Sequence, residues 1–193
     1  MPGIHKKYDA IVVGASAGGL YALSGILENL PADYPIPVMV VQHRVKDQKH
    51  LLEEVLQSKC KIQIKQADEK ENIQSGFVYI APPDYHLLIE SDRTFSLSSD
   101  EQVRYSRPSI DVLFETAAIV FKETLVAIIL TGANNDGSGG IVEVEKYGGL
   151  TIAQDPAEAQ FPFMPKAAIE TKAVEHIWKL SEIQNFLLKI TST

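Results

Sequence analysis

Three residues of the types that cooperate in acyl transfer each follow an apolar run of the chain. Ser16 lies in the stretch Gly-Ala-Ser-Ala-Gly after residues 11–13, and His43 comes one glutamine after residues 38–41. Asp136 lies in the loop after residues 125–130. A nucleophile, a general base and a carboxylate that orients the base are the set that a serine hydrolase needs. Ser16, His43 and Asp136 are therefore candidate catalytic residues.

Each of the three residues is also compatible with a purely structural role. A serine before a helix is a common N-cap, a histidine at a strand end can be a packed residue with satisfied partners, and Asp136-Gly137 is a turn dipeptide. The stretch around Ser16 fits the G-x-S-x-G nucleophile elbow, but α/β hydrolases have the order serine, acid, histidine. Here the order is serine, histidine, aspartate. The presence of all three residue types at strand ends favours the hydrolase.

A dinucleotide site is the competing interpretation of the glycine-rich stretch. Gly14, Gly18 and Gly19 follow a predicted strand and open a predicted helix, but Ser16 occupies the second glycine position of G-x-G-x-x-G. The second strand ends without the acidic residue that would bind a ribose. The histidines show no pair at metal-ligand spacing. The residues therefore favour a nucleotide site or a metal site less than a hydrolase.

The elements that must position these residues alternate along the chain. Five runs have the pattern of strands: residues 9–13, 38–42, 61–65, 125–130 and 150–153. Six have the pattern of helices: residues 18–30, 49–59, 109–122, 140–147, 165–171 and 181–190. Three further strands, at residues 76–81, 87–90 and 95–99, interrupt the alternation.

This pattern predicts an α/β fold. The sheet is expected to be doubly wound and mostly parallel, with helices on both faces and an antiparallel hairpin at one edge. Ligands of such sheets bind beyond the carboxyl ends of the strands, where the three candidate residues lie.

Composition limits the class of protein. The chain has 193 residues, 45% of them hydrophobic, which suits one soluble domain over residues 1–193. Cys60 is the only cysteine, so an internal disulfide is impossible, and a cytoplasmic location is expected. The net charge of −7 argues against nucleic-acid binding. No apolar run reaches the ~20 residues that membrane insertion requires.

Six separated segments resemble the catalytic domain of the CheB-type protein-glutamate methylesterases of bacterial chemotaxis. They are VVGASAGGL, VVQH, GFVYIAPPDYHL, RPSIDVLF, AIILTGANNDGSGGI and AQDPAEAQFPFMPKAAI, and the resemblance covers about residues 9–172. It implies that Ser16 is the catalytic serine, His43 the histidine and Asp136 the aspartate. It also implies the doubly wound fold with a hairpin.

The activity implied by the resemblance is removal of methyl esters from receptor glutamates, with release of methanol. Many relatives also hydrolyse receptor glutamine amides. The expected partner is a methylated chemoreceptor or another methylated protein, and no cofactor is required. For the oxyanion, the backbone N–H groups of Ala17 and Ala133 are the candidate donors. The family commonly has threonine in place of Ala17, and Met-Gly in place of Ala133-Asn134.

Regulation is expected to differ from that of the two-domain relatives, in which an N-terminal receiver domain covers the site. Only residues 1–8 precede the first predicted strand, too few for a receiver, so a separate receiver protein is a possible partner. A basic stretch that includes Arg44 and Lys46 is a candidate docking rim for an acidic substrate. The alternative functions are nucleotide binding and a non-enzymatic scaffold on the same fold.

Overall fold

The computed structural model describes residues 8–43 and 51–190. Within these residues the strands are β1 (Ala10–Ala15), β2 (Val38–Gln42), β3 (Gln63–Gln66), β4 (Phe77–Ile80), β5 (His86–Ile89), β6 (Phe95–Ser98), β7 (Leu125–Ile129), β8 (Leu150–Gln154) and β9 (His176–Trp178). The α-helices of the same residues are α1 (Gly19–Leu27), α2 (Leu51–Gln57), α3 (Ile110–Phe121), α4 (Ser138–Lys146), α5 (Phe163–Glu170) and α6 (Leu180–Lys189).

Seven of the described strands form one parallel sheet in the order β3-β4-β2-β1-β7-β8-β9. The chain moves from β1 to β2 on one side and later returns to β7 on the other side. The strand order therefore reverses between β1 and β7, which is the switch point where doubly wound sheets bind ligands.

The two faces of the sheet are buried in separate apolar clusters. Ile11 and Val13 of β1 pack with α1 and α6, whereas Ala10 and Val12 pack with α3 and residues of α4 and α5. Because successive side chains of a strand point to opposite faces, a strand covered by helices on both sides must be apolar throughout. This confirms the predicted α/β class with helices on both faces.

The antiparallel hairpin consists of β5 and β6, which form a two-stranded sheet of their own. Its residues Leu87, Ile89 and Phe95 are buried in the cluster on the α3 side. The first of the three strands predicted to interrupt the alternation is β4, and it pairs in parallel with β2 and β3 within the main sheet. The predicted hairpin is confirmed, but it contains only two of the three strands that interrupt the alternation, because the third, β4, belongs to the parallel sheet.

Two further differences concern the strands, one of which was not predicted and one of which is longer than predicted. The prediction missed β9, because three half-exposed residues at a sheet edge carry no readable periodicity. The first strand extends two residues beyond its predicted end, through Gly14 to Ala15, so that Ser16 directly follows it. Residues 49 and 50 of the predicted second helix lie outside the described residues. No helix in the described part of the chain is long and apolar enough to cross a membrane.

The close packing of α3 on α4 can be tested by adding a methyl group at their contact. A Cβ atom at Gly140 would lie 2.5 Å from the Cβ of Phe114 and 3.2 Å from the Cα of Asp111. We expect Gly140→Ala to lower the free energy of unfolding by about 1–3 kcal/mol, because α3 must shift to admit the methyl group. Urea unfolding measures the change.

The matched control is Gly25→Ala in α1, where the added methyl would meet Leu180 at an ordinary 3.6 Å. Alanine favours the helix over glycine, so this variant should gain up to about 1 kcal/mol. Equal effects of the two substitutions would contradict the packing argument.

Candidate active site at the carboxyl ends of β1, β2 and β7

The three candidate residues converge at the switch point of the sheet. Register pairs Ala15 of β1 with Gln42 of β2, so Ser16 and His43 leave adjacent strands at the same level. Asp136 lies between β7, the other neighbour of β1, and α4. Neighbouring strands are only about 4.8 Å apart, so the three loops share one small region.

His43 and Asp136 are in direct contact. The Nε2 atom of His43 lies 2.8 Å from Oδ2 of Asp136. The Asp136 side chain is fully buried, whereas the His43 side chain keeps 14% of its surface exposed. A buried carboxylate against a partly exposed imidazole is the arrangement that orients a general base.

The N-terminus of α3 supplies the other hydrogen bonds of the Asp136 carboxylate. Ser109 Oγ donates to Oδ1 at 2.8 Å, and the backbone N–H groups of Ile110 and Asp111 donate at 2.7 and 3.1 Å. First-turn N–H groups have no partner within their helix and favour an anion. Two of these groups are therefore used here to hold a carboxylate of the chain itself.

These contacts decide the charge of Asp136. Burial by itself raises the pKa of the carboxyl, but the hydrogen bonds from His43 and from the backbone of Ile110 and Asp111 outweigh it. The net pKa lies below its ordinary value. Asp136 is consequently an anion at neutral pH despite its burial.

The tautomer of His43 follows from a closed ring of hydrogen bonds. The backbone N–H of Asp136 donates to Oδ1 of Asn134 at 3.1 Å, so the other end of that amide is its NH2 group. This group lies 3.2 Å from Nδ1 of His43, which must therefore accept. The ring proton is on Nε2, where it is donated to Asp136.

The backbone of Ser16 is fixed from two sides. Its N–H donates to the carbonyl of Thr131 at 3.0 Å. The Gln42 side-chain amide donates to the carbonyls of both Ser16 and His43, at 2.8 and 2.9 Å. The Ser16 hydroxyl makes no hydrogen bond with any residue that the structure describes. Gly18, not Ser16, is the N-cap of α1, so the capping interpretation of Ser16 is wrong.

The glycines beside Ser16 make room for side chains of the chain itself. Gly18 has a φ of 78°, and a Cβ there would lie 2.8 Å from Oε1 of Gln160. A Cβ at Gly19 would overlap the side-chain oxygen of Gln42. In dinucleotide sites the glycines instead let the backbone approach a pyrophosphate. The space near this loop is filled by glutamines, which argues against the nucleotide-binding interpretation.

Ala17 and Ala133, the predicted oxyanion donors, lie in the loops that follow β1 and β7. The N–H groups of both residues make no hydrogen bond to the part of the chain that the structure describes, whereas Gly132 N–H donates to Phe161. Thr131 ties the two loops together, because its Oγ1 donates to the carbonyl of Ala17 at 3.0 Å. Within residues 8–43 and 51–190, neither N–H group therefore has an acceptor.

A second serine and histidine, Ser109 and His86, lie close to Asp136 and have a structural role. Ser109 is fully buried and His86 is 2% exposed, so a protein substrate cannot reach them. His86 Nδ1 accepts the backbone N–H of Ser109, not its hydroxyl, and Nε2 is 3.0 Å from the carbonyl of Glu101. Ser109 therefore supports Asp136 instead of acting as a nucleophile.

Sequence reasoning missed the residues that hold the Asp136 loop. Asp111 of α3 accepts the backbone N–H groups of Gly137 and Gly140 at 3.0 and 2.7 Å, and it is paired with Arg104. The helix start that binds Asp136 thus also anchors the helix that follows Asp136. The sequence feature that could have indicated this role is the presence of Ser109 and Asp111 at the predicted start of a helix.

Two other predictions concern ligands and surface charge. Among residues 8–43 and 51–190, no group of three or more histidine, cysteine, aspartate or glutamate side chains could hold a metal ion. Arg44 and Lys46, the predicted docking rim, lie outside the described residues.

Known proteins match the chain over nearly its whole length. The profile of the family described as CheB methylesterase matches residues 11–187. A putative protein-glutamate methylesterase/protein-glutamine glutaminase of Leptospira interrogans is 48% identical over 184 residues, 95% of each chain. A probable protein-glutamate methylesterase of Borreliella burgdorferi is 37% identical, over 96% of this chain and 50% of the relative.

A solved structure gives the same result. The crystal structure of the Thermotoga maritima CheB methylesterase catalytic domain superposes with a TM-score of 0.91 at 33% identity. The match covers 95% of this chain and 99% of that domain. The profile, the sequence identities and the fold all agree, and the chain belongs to the CheB methylesterase family.

Proposed function

We propose that the chain is a serine hydrolase that removes methyl esters from glutamate side chains of a protein substrate. The observation that carries the proposal is the 2.8 Å contact between His43 Nε2 and the buried Asp136 carboxylate, at the switch point beside Ser16. The family and the names of the relatives support the same activity. Neither supports the nucleotide-binding or scaffold alternatives.

The roles follow from the hydrogen bonds of the imidazole. Because Nε2 donates to Asp136, Nδ1 is the nitrogen that can receive the hydroxyl proton of Ser16. Asp136 then stabilises the imidazolium that forms. The two ring nitrogens therefore exchange the roles they have in serine proteases, where Nε2 is the base and Nδ1 faces the aspartate. The chemistry requires only that one nitrogen faces the acid and the other the nucleophile.

The reaction proceeds through an acyl-enzyme. Ser16 Oγ attacks the ester carbonyl carbon as its proton moves to His43, and His43 then protonates the departing methoxide, which leaves as methanol. Water attacks the resulting glutamyl-serine ester and gives one proton to His43, which passes it to Ser16 Oγ as that oxygen leaves. The glutamate side chain is released as the acid and loses its remaining proton to solvent. A glutamine side chain would follow the same path with ammonia as the leaving group.

The oxyanion of each tetrahedral intermediate is bound by backbone donors. We assign this role to the N–H groups of Ala17 and Ala133, which the folded chain leaves without acceptors among the described residues. Main-chain donors do not depend on the side chain, so the alanines are compatible with the role.

The surface next to Ala133 suits a protein substrate. A shallow pocket of about 230 Å³ is lined by Ala133, Phe161, Pro162, Phe163 and Lys166. Phe161 and Phe163 are exposed, so they can pack on a partner. We propose a methylated chemoreceptor as that partner and the cytoplasm as the place of reaction, because the CheB family acts on methylated chemoreceptors.

Replacing the nucleophile tests the proposal directly. Ser16→Ala should lower the rate of methanol release from a glutamate methyl-ester protein by several orders of magnitude, with the fold retained. Ser138→Ala is the control, because that hydroxyl donates to the backbone of Asn135 and has no role in the chemistry. If Ser16→Ala released methanol at a rate within a few-fold of the wild-type rate, Ser16 would not be the nucleophile.

Asp136→Asn should abolish most of the activity and weaken the fold. An amide cannot stabilise the imidazolium, at a cost of up to about four orders of magnitude in turnover. Its NH2 group must also face buried donors, which costs about 1–3 kcal/mol of unfolding free energy. Ser109→Ala removes one of those donors and keeps the charge, so it should retain far more activity. Equal kinetic losses in the two variants would contradict the electrostatic role.

The lowered pKa of Asp136 predicts how stability depends on pH. The unfolded carboxyl binds a proton more readily than the folded one, so the stabilisation is complete above about pH 5 and declines as pH falls below about 4. The wild-type advantage over Asp136→Asn in urea unfolding should therefore shrink between about pH 5 and pH 3. An advantage that is constant across this range would show that the charge is not stabilised by the fold.

A further inference from the structure

The nitrogen that must receive the Ser16 proton already has a partner. Asn134 Nδ2 lies 3.2 Å from Nδ1 of His43, and Asn134 Oδ1 is held by the backbone N–H of Asp136. The Asn134 side chain is thus fixed at both ends. It lies in the same loop as Asp136, two residues earlier.

A neutral imidazole nitrogen has one lone pair in the ring plane, so it accepts one well-aligned hydrogen bond. While Asn134 donates to Nδ1, the Ser16 hydroxyl cannot. This agrees with the Ser16 hydroxyl, which has no hydrogen bond to the described residues. Proton transfer from Ser16 therefore requires that the Asn134 amide leave Nδ1.

We propose that Asn134 is a positioning residue that caps the base nitrogen of His43 until substrate enters. The inference rests on the proposed function, because it takes Nδ1 as the nitrogen that receives the Ser16 proton. In the resting enzyme the cap fixes the Nε2–H tautomer that Asp136 requires. Rotation of the Asn134 side chain then exposes the lone pair to Ser16.

Removal of the cap should make the base more available. Asn134→Ala should raise kcat/KM for the small ester p-nitrophenyl acetate about fivefold at neutral pH, the equivalent of one neutral hydrogen bond. Asn135→Ala is the matched control, since Asn135 is exposed and its backbone carbonyl, not its side chain, accepts from Ser138. An Asn134→Ala rate at or below the rates of wild type and control would overturn the proposal.

A charged replacement gives a readout that a merely structural role would not move. Asn134→Asp keeps the acceptor for the Asp136 N–H and places a carboxylate against Nδ1. The imidazole would then hold two protons between two carboxylates, and the acid limb of the pH–rate profile should move up by about one pH unit or more. An acid limb at the wild-type position would contradict the cap.

Nitrogen-15 NMR of the imidazole tests the cap without any turnover. Wild type should show a protonated Nε2 and an unprotonated Nδ1, and Asn134→Ala should shift the Nδ1 resonance while Asn135→Ala leaves it in place. A wild-type ring protonated on Nδ1 would overturn the cap. If no variant or wild type hydrolysed any ester, the proposed function would fail, and the NMR result would still decide the role of Asn134.

Discussion

A buried carboxylate loses its water and must replace it with hydrogen-bond donors, or it will not remain charged. Among the described residues Asp136 has four such donors, three from the start of α3 and one from His43. The rest of the site depends on this compensation, because the anion orients the imidazole. The same helix start also holds the loop of Asp136, since the carboxylate of Asp111 accepts hydrogen bonds from the backbone N–H groups of Gly137 and Gly140.

The sheet explains why these groups can meet. Reversal of the strand order between β1 and β7 brings together three loops that are far apart in the chain. The glycines after Ser16 let Gln42 reach the carbonyls of both Ser16 and His43. The serine is thereby held in place by its backbone, while its hydroxyl has no hydrogen bond to the part of the chain that the structure describes. This arrangement suits a nucleophile better than a cap.

The sequence predicted the fold class and the places of Ser16, His43 and Asp136, because each follows a strand that is apolar on both faces. It did not predict β9, whose three residues owe their structure to pairing with β8. Nor did it predict the donors of Asp136, which come from a helix start some 25 residues away in the chain and depend on how α3 packs. The contact of Asn134 with His43 depends on side-chain rotation, which has no sequence signature.

We propose that Ser16 is the nucleophile and that the His43–Asp136 pair activates it. This assignment can be tested by labelling with a fluorophosphonate, followed by mass spectrometry of the digested chain. We expect one phosphonyl group on the peptide that contains Ser16 and much slower labelling of Asp136→Asn. Modification of a different residue, or labelling of Ser16 at the same rate when Asp136 is replaced, would contradict it.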